Sequence, residues 1–372
     1  MASKYTKTIT LPNGKRKYIR ASTKEELARK YAQVKADMGA GVDVSSDTTV
    51  AELAQMWYDL YKKPSLKEGG RRAVLSTVNL HILPELGRMK VRDVKPVHIR
   101  RVMASEAGQS KSLQAKTLQA LRGMFRAAVE NDLIAKSPVP ESMKAAGTET
   151  AEKVPLTVEQ SKMLLSGVQG TSAFPCVLLM LTAGLRREEA CGLMWSDVDF
   201  EHGTITVRRA KTFYTAQGNL SEELKSEAAK RTIPISPWAV DALRQVRASS
   251  KSLYVLSKAD GSSMTYSAFR RMWGAIETRT TNDSSLLGKP ISPRHPNIRY
   301  GMDFHVTPHQ LRHTCITRWF DAGFDVKVVQ YLAGHATPYI TVKIYDHYVA
   351  SVRQQNTLRQ VQDSDVLASI AI

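Results

Sequence analysis

The chain has 372 residues, which at roughly 150 per domain excludes a single small stapled module and leaves room for several cores. Lysine and arginine number 53 against 35 aspartate and glutamate, a formal charge of +18, and 42% of residues are hydrophobic, so the composition is globular and excludes a disordered chain. A surplus of this size points to a polyanionic partner, nucleic acid first of all, because each neutralised phosphate releases condensed counterions.

Three scattered cysteines, Cys176, Cys191 and Cys315, argue against a disulfide framework and read as buried small hydrophobes in a reducing compartment. Met1 to Lys17 is polar and basic, unlike a secretory signal. The longest apolar stretch, Phe174 to Leu185, is broken by Pro175, Thr182 and Gly184 and reads as a core helix, well short of the roughly 20 residues a bilayer requires. A cytoplasmic protein with no membrane association is expected.

The chain opens with two short runs, Tyr5 to Leu11 and Lys15 to Ala21, around Pro12-Asn13-Gly14, a strong hairpin signal. Thr23 and Glu26 form a capping-box pair that starts a helix to about Met38. Ten lysines and arginines from Lys4 to Lys35 stand against Glu25 and Glu26, which makes this small sheet-plus-helix element, with Lys15, Arg16, Lys17 and Arg20 on its second strand, a candidate groove reader. Gly39 to Asp47 reads as a linker. A second capping pair, Thr49 and Glu52, then opens a helical region with segments at Val50–Tyr61, Arg71–Leu83, Lys95–Ala107 and Ser112–Asn131. Basic residues at their ends, including Lys67, Arg71, Arg72, Lys111 and Lys116, suit a phosphate backbone or a solvated helix face equally.

Pro138, Pro140 and the small polar run Ala145 to Glu152 mark the next boundary. Thr157 and Gln160 open a helix to about Gly167, and a helix is expected to begin at Arg186 after the apolar one. Thr204–Val207 and Arg231–Ile235 alternate as strands around a polar insertion, and Ser236 with Pro237 starts a further helix. The predicted architecture is multidomain and mainly α. It comprises a small N-terminal β-sheet plus helix at residues 1–38, an all-α domain at 48–142 and a mixed α+β domain at 153–372.

Three clusters in the last domain combine cations with proton-carrying groups. Gly184-Leu185-Arg186-Arg187-Glu188-Glu189 places Arg186 and Glu189 three apart at a helix start, where an arginine suits bidentate phosphate binding or a simple i,i+3 salt bridge. In Thr307-Pro308-His309-Gln310-Leu311-Arg312-His313, Thr307 caps, Gln310 completes the box, and His309 and Arg312 share a face. In Leu332-Ala333-Gly334-His335, Gly334 ends a helix, and Tyr345-Asp346-His347 follows on a short helix.

Together these clusters resemble the tyrosine recombinase, or phage integrase, family, in which two arginines clamp a scissile phosphate and a tyrosine attacks phosphorus. The resemblance runs from about Pro155 to Val349. It implies Arg186 and Arg312 as the clamp, His309 as a base, His335 as a hydrogen-bond donor to the phosphate and Tyr345 as the nucleophile, with Glu189 and His313 in support. Lys225-Ser226-Glu227-Ala228-Ala229-Lys230-Arg231-Thr232-Ile233-Pro234 looks like the family's lysine hairpin and makes Lys225 the acid for the leaving 5′ oxygen. Ser226 stands where the family more often has threonine, which leaves Lys211 or Lys230 as alternatives.

The chemistry fits these residue types. Displacement at a phosphodiester anion requires neutralised nonbridging oxygens, a held nucleophile and a protonated leaving group. The product implied is a 3′-phosphotyrosine that stores the broken bond, so no cofactor and no metal is expected, and the sequence shows no phosphate-cradling Gly-rich loop or paired Cys/His spacing. The resemblance further implies an integrase of a phage or integrative element, with 1–38 as the arm-binding domain and 48–142 as the core-binding domain. Its implied partners are double-stranded DNA at core and arm sites, a homotetramer on that DNA, an excisionase and a host DNA-bending protein, at the nucleoid of a bacterial cell. The stretch after Tyr345 packs on a neighbouring subunit or folds back on its own domain. Two rivals remain at this point: a type IB topoisomerase, and a DNA-binding regulator with no covalent chemistry.

Overall fold

The computed structural model describes residues 5–10, 16–43, 47–148, 154–214, 218–221, 227–294 and 296–346. The chain forms two compact units, Met1–Glu152 and Lys153–Ile372.

In the first unit, β1 (Tyr5–Thr10) and β2 (Arg16–Ala21) pair antiparallel with Tyr5 opposite Ala21 and Thr10 opposite Arg16. The helix α1 (Lys24–Gly39) begins as expected at Thr23, whose hydroxyl accepts from the Glu26 N–H at 3.1 Å. The reciprocal half of the box is displaced by one residue, since the Glu26 carboxylate accepts from the backbone and hydroxyl of Ser22 instead. The Asp43 N–H donates to the Asp132 carbonyl at 2.9 Å, so this part of the expected linker is fastened to the helical region.

The helices run α2 (Val50–Trp57), α3 (Glu68–Thr77), α4 (Leu83–Leu86), α5 (Pro96–Ser105) and α6 (Lys111–Glu130), and all but the short α4 correspond to expected segments. The Thr49–Glu52 box is complete, each side chain meeting the other's backbone N–H. Widened π-type turns at Tyr58–Lys62 and Val78–Ile82 prolong α2 and α3. Leu53, Ile82, Ile99, Leu121 and Phe125 are fully buried in the core, each contributing about 1.5–3 kcal/mol of apolar burial.

The second unit begins with α7 (Val158–Val168), capped by the expected Thr157–Gln160 box. The apolar stretch becomes α8 (Phe174–Thr182), buried from Pro175 to Leu181, and a short α9 (Arg187–Gly192) follows. A three-stranded antiparallel sheet comprises β3 (Val198–Asp199), β4 (Thr204–Val207) and a later strand, Arg231–Pro234, in which Ile205 faces Ile233. Within the polar insertion two further strands, β5 (Ala210–Thr212) and β6 (Asn219–Ser221), form a hairpin that the sequence pattern does not announce. The strand Arg231–Pro234 is therefore β7.

Among the described residues the unit continues with α10 (Pro237–Ser249), α11 (Tyr266–Glu277), α12 (Pro308–Asp321) and α13 (Val326–Ala333). Thr307 caps α12 as expected, but Gln310 does not return the bond; its amide donates to the Val154 carbonyl at 2.8 Å. Residues 338–346 are helical. All three cysteines are free and buried, and burial pushes the thiols of Cys176 and Cys315 up to about 12. No helix among the described residues is long and apolar enough to cross a membrane.

Candidate active site

The end of α8 turns through Gly184, at φ +60°, where an added Cβ would lie 3.0 Å from the Trp319 ring. The expected helix then starts one residue late. Arg186 is not in its first turn but caps it from extended backbone at φ −70°, ψ 155°. Glu189 reaches back to accept from the Arg186 N–H at 2.9 Å and from its Nη1 at 2.7 Å. The i,i+3 pair thus exists, but its carboxylate is buried, with 3% of the residue exposed, where a surface salt bridge would be solvated.

Two further guanidiniums converge on that carboxylate. Arg231 of β7 donates to both Glu189 oxygens, at 3.1 and 2.9 Å, and to the carbonyls of Leu332 and Ala229. Arg312 of α12 lies 4.0 Å from Glu189 Oε2 and donates to the carbonyls of Gly184 and Ala333. Arg186 completes the set with a 2.7 Å bond to the Gly334 carbonyl. Burial alone would raise the pKa of Glu189, but the charges of Arg231, then Arg186 and Arg312, outweigh it and hold the group at about 2. Burial, followed by repulsion from Arg186, lowers Arg312 to about 9. Three cations around one carboxylate leave two positive charges uncompensated in a largely dry cluster, an arrangement that suits an incoming anion.

Arg231 is absent from the sequence-derived set. A signal for it exists: it shares a strand face with buried Ile233, and a cation directed into a core requires a carboxylate partner.

His335 follows Gly334, the left-handed residue that ends α13 at φ +63°. The residue is buried, and its Nδ1 lies 2.8 Å from the Thr341 hydroxyl. Burial first, then the charges of Arg312, Arg186 and Arg231, lower its pKa to about 3, so the ring is neutral at pH 7. Its imidazole resonances are therefore expected not to titrate between pH 5 and 8 in histidine NMR spectra; a midpoint near 6.5 would contradict the burial. The Glu189 carboxylate is depressed from 4.5 to about 2. It thus stabilises the fold above pH 4.5 by about 3 kcal/mol, a contribution lost as the pH falls toward 2. Denaturant titrations of Glu189→Gln are expected to show a loss of about 3–5 kcal/mol at pH 7 and a flatter acid limb.

Gly334 itself tolerates no side chain. A Cβ there would meet Arg231 Nη1 at 2.8 Å, on a backbone conformation that costs other residues about 1 kcal/mol or more. Gly334→Ala is expected to lower the melting temperature by several degrees and to displace His335, measured as a shift of its imidazole NMR resonances.

The other candidate residues are placed as follows. His309 is exposed at the start of α12, within electrostatic reach of His335. His313 is half-buried, next to Arg312. Tyr345 lies in the helical segment 338–346, about one-third exposed, its ring tilted against Phe320 at 5.2 Å. Phe320 is about 12 Å further along α12 than Arg312, at 1.5 Å rise per residue. Lys225 lies outside the described residues. Of the alternatives, Lys211 is buried on β5 with its ammonium on the Ser263 hydroxyl, and Lys230 is exposed just before β7. Arg186, Glu189, Arg312 and His335 are thus brought into one cluster, with His309 near it and Tyr345 on the adjoining helix. Among the described residues no group of three or more His, Cys, Asp or Glu is arranged to hold a metal ion.

In the first unit, Arg16 and Arg20 are exposed on β2, and Lys17 is half-buried. Lys15 lies outside the described residues. Lys67, Lys111 and Lys116 are exposed, whereas Arg71 donates to the Lys63 carbonyl and Arg72 pairs with Glu68 at 2.8 Å. An open groove of about 940 Å³ runs along α6, lined by Trp57, Lys62, Lys111, Arg122, Arg126 and Lys144. Three of these cations, Arg122, Arg126 and Lys144, are not among the basic residues that the sequence pattern marks. In the second unit a hollow of about 850 Å³, lined by Phe174, Val246, Lys258 and Met272 among others, lies at the opposite end of α8 from Arg186 and holds none of the candidate residues.

Residues 155–351 match the Phage integrase family and residues 50–145 the Phage integrase central domain. The chain is 27% identical over 353 residues to the transposase from transposon Tn916 of Enterococcus faecalis, covering 92% of this chain and 84% of that protein. It is 26% identical to a XerC-like tyrosine recombinase of Caldanaerobacter subterraneus, covering 96% of each. In fold it is similar to the Tn1549 transposon integrase, solved in complex with a circular intermediate DNA, with a TM-score of 0.65 at 23% identity over 82% of this chain and 99% of that one. A lambda integrase tetramer bound to a Holliday junction gives a TM-score of 0.60 at 14% identity over 89% of this chain and 93% of that one. With the family match spanning most of the second unit and the central domain most of the helical region, the chain belongs to the phage integrase family.

Proposed function

We propose that the arginine cluster of the second unit grips one DNA phosphodiester while Tyr345 attacks its phosphorus. The chain is a tyrosine-type site-specific DNA recombinase, and the reading is of an integrase that inserts and excises a mobile element. The observation that carries it is the excess of buried positive charge around Glu189 beside a neutral histidine. A phosphodiester monoanion relieves that excess, and the negative charge that builds on its nonbridging oxygens in the transition state relieves it further.

In the proposed step the Tyr345 oxygen bonds to phosphorus and the bond to the 5′ oxygen breaks. The phenol, of reference pKa about 10, passes its proton to His309, and Lys225 protonates the departing oxygen. Arg186 and Arg312 hold the nonbridging oxygens, and neutral His335 donates a hydrogen bond to one of them. Reversal by a hydroxyl from a second duplex then needs no energy source, because the phosphotyrosine keeps the bond energy.

The exposed cations of β2 and of the α6 groove are proposed to follow the backbones of arm and core sites, with strand exchange in a homotetramer. An excisionase and a host bending protein complete the proposed assembly at the bacterial nucleoid. Incubation with a supercoiled plasmid bearing a pair of the element's attachment sites tests the reading. Recombinant circles that depend on both sites are expected; relaxation that ignores sequence and yields no recombinants would identify a topoisomerase instead.

A further inference from the structure

Thr341 has no part in the reaction described above, yet it is completely buried and its hydroxyl lies 2.8 Å from Nδ1 of His335. The main chain of His335 is also fixed, its N–H donating to the Gln330 carbonyl at 3.1 Å while its own carbonyl accepts from the Gln330 amide at 3.2 Å. Ring orientation and tautomer therefore rest on Thr341. A neutral imidazole carries one N–H, and the partner of one nitrogen decides which nitrogen keeps it. A threonine hydroxyl that donates to Nδ1 leaves the proton on Nε2, free to meet a phosphate oxygen. The opposite tautomer would present a lone pair to that anion. Thr341 also sits one helical turn before Tyr345 on the same face of the segment 338–346, where i and i+4 side chains are neighbours.

We propose that Thr341 is a positioning residue: its hydroxyl selects the Nε2–H form of His335 and registers the tyrosine-bearing helix against that ring. One short side chain thereby couples the phosphate donor to the nucleophile. The inference rests on the reading of His335 as a phosphate donor.

Three measurements on the full chain test it, using a nicked duplex that carries the element's crossover sequence. The first is the rate of covalent adduct formation by Thr341→Val, which keeps the branched shape and loses the hydroxyl. A fall of about 10- to 100-fold is expected, the usual effect of removing a residue that orients a functional histidine, with DNA affinity within about twofold and with Thr341→Ser restoring the rate to within about threefold. The second is the histidine ¹⁵N spectrum of the unmodified protein, which is expected to show Nε2 protonated and Nδ1 not; this readout requires no variant to fold. The third is the double variant His335→Ala with Thr341→Val, expected to react no slower than His335→Ala alone, as for residues that act as one unit.

Wild-type speed in Thr341→Val, a proton on Nδ1 in the unmodified protein, or additive losses in the double variant would each overturn the proposal. If His335→Ala itself cleaves at the wild-type rate, the phosphate role of His335 falls and the inference with it. An Nε2 proton lost on Thr341→Val would still locate the coupling in the free protein.

Discussion

Tyr345→Phe is expected to abolish covalent trapping on a nicked suicide duplex, a fall of more than about a thousandfold, while DNA affinity stays within about twofold. The change deletes one oxygen and nothing else. The ring still packs against Phe320, and a partly exposed hydroxyl contributes at most about 1.5 kcal/mol to the fold. Without that oxygen no bond to phosphorus can form, so adduct yield on denaturing gels reports the chemistry apart from binding. Persistence of trapping in the variant would move the nucleophile elsewhere, with Tyr339, exposed on the same helical segment, and Tyr348 the next to substitute. A chain that bound DNA with steep salt dependence, a slope of about −0.9 per phosphate contact, yet never formed an adduct would be a regulator and not a recombinase.

Arg312→Gln is expected to slow single-turnover cleavage by about a hundredfold to a thousandfold, the effect of removing one oxyanion donor from a prepared site. Its cost to the fold should be smaller than its burial suggests. The glutamine amide can still donate to one of the two carbonyls that Arg312 serves, at Gly184 and Ala333, and an unpaired carbonyl costs about 1–3 kcal/mol. Against that loss, Glu189 retains Arg186 and Arg231, and the cost of burying the Arg312 charge, with its repulsion from Arg186, disappears. Arg186→Gln should slow cleavage comparably with less effect on melting, since its side chain remains one-quarter exposed. Cleavage by Arg312→Gln within threefold of wild type would make this guanidinium a structural strut between α12 and its neighbours.

What the sequence made legible was mostly local. Thr49, Thr157, Ser236 and Thr307 mark helix starts because a short hydroxyl satisfies an N–H three residues on, a contact that needs no tertiary structure. Gly334 is equally legible, since a left-handed residue is needed where α13 ends. Local logic failed where a distant group competed. Gln310 should close its capping box and instead serves Val154, and Glu26 prefers Ser22. The hairpin of β5 and β6 is not legible in the sequence because its few residues show no apolar alternation and its inward side chain is a lysine, Lys211. In the sequence Arg231 is only the first residue of a strand, and its ion-pair role is visible only once Glu189 and Leu332 surround it. The resemblance implies the order of Arg186, Arg312, His335 and Tyr345 with Glu189 in support, and the fold adds that this carboxylate is buried among three guanidiniums.

The contacts that build the cluster span long stretches of chain. Arg186 reaches Gly334, Arg231 reaches Leu332, and Leu156 is tied to Thr314. Such closures are slow to form, because loop entropy must be overcome before any of them is rewarded. On a translating ribosome, where domains fold as they emerge, the basic hairpin and helical bundle of the first unit would be complete while residues beyond 309 were still unsynthesised. A nascent or truncated chain would therefore carry the basic first unit but no assembled arginine cluster. On the proposed mechanism, strand scission is thus reserved for molecules whose last helices have already docked.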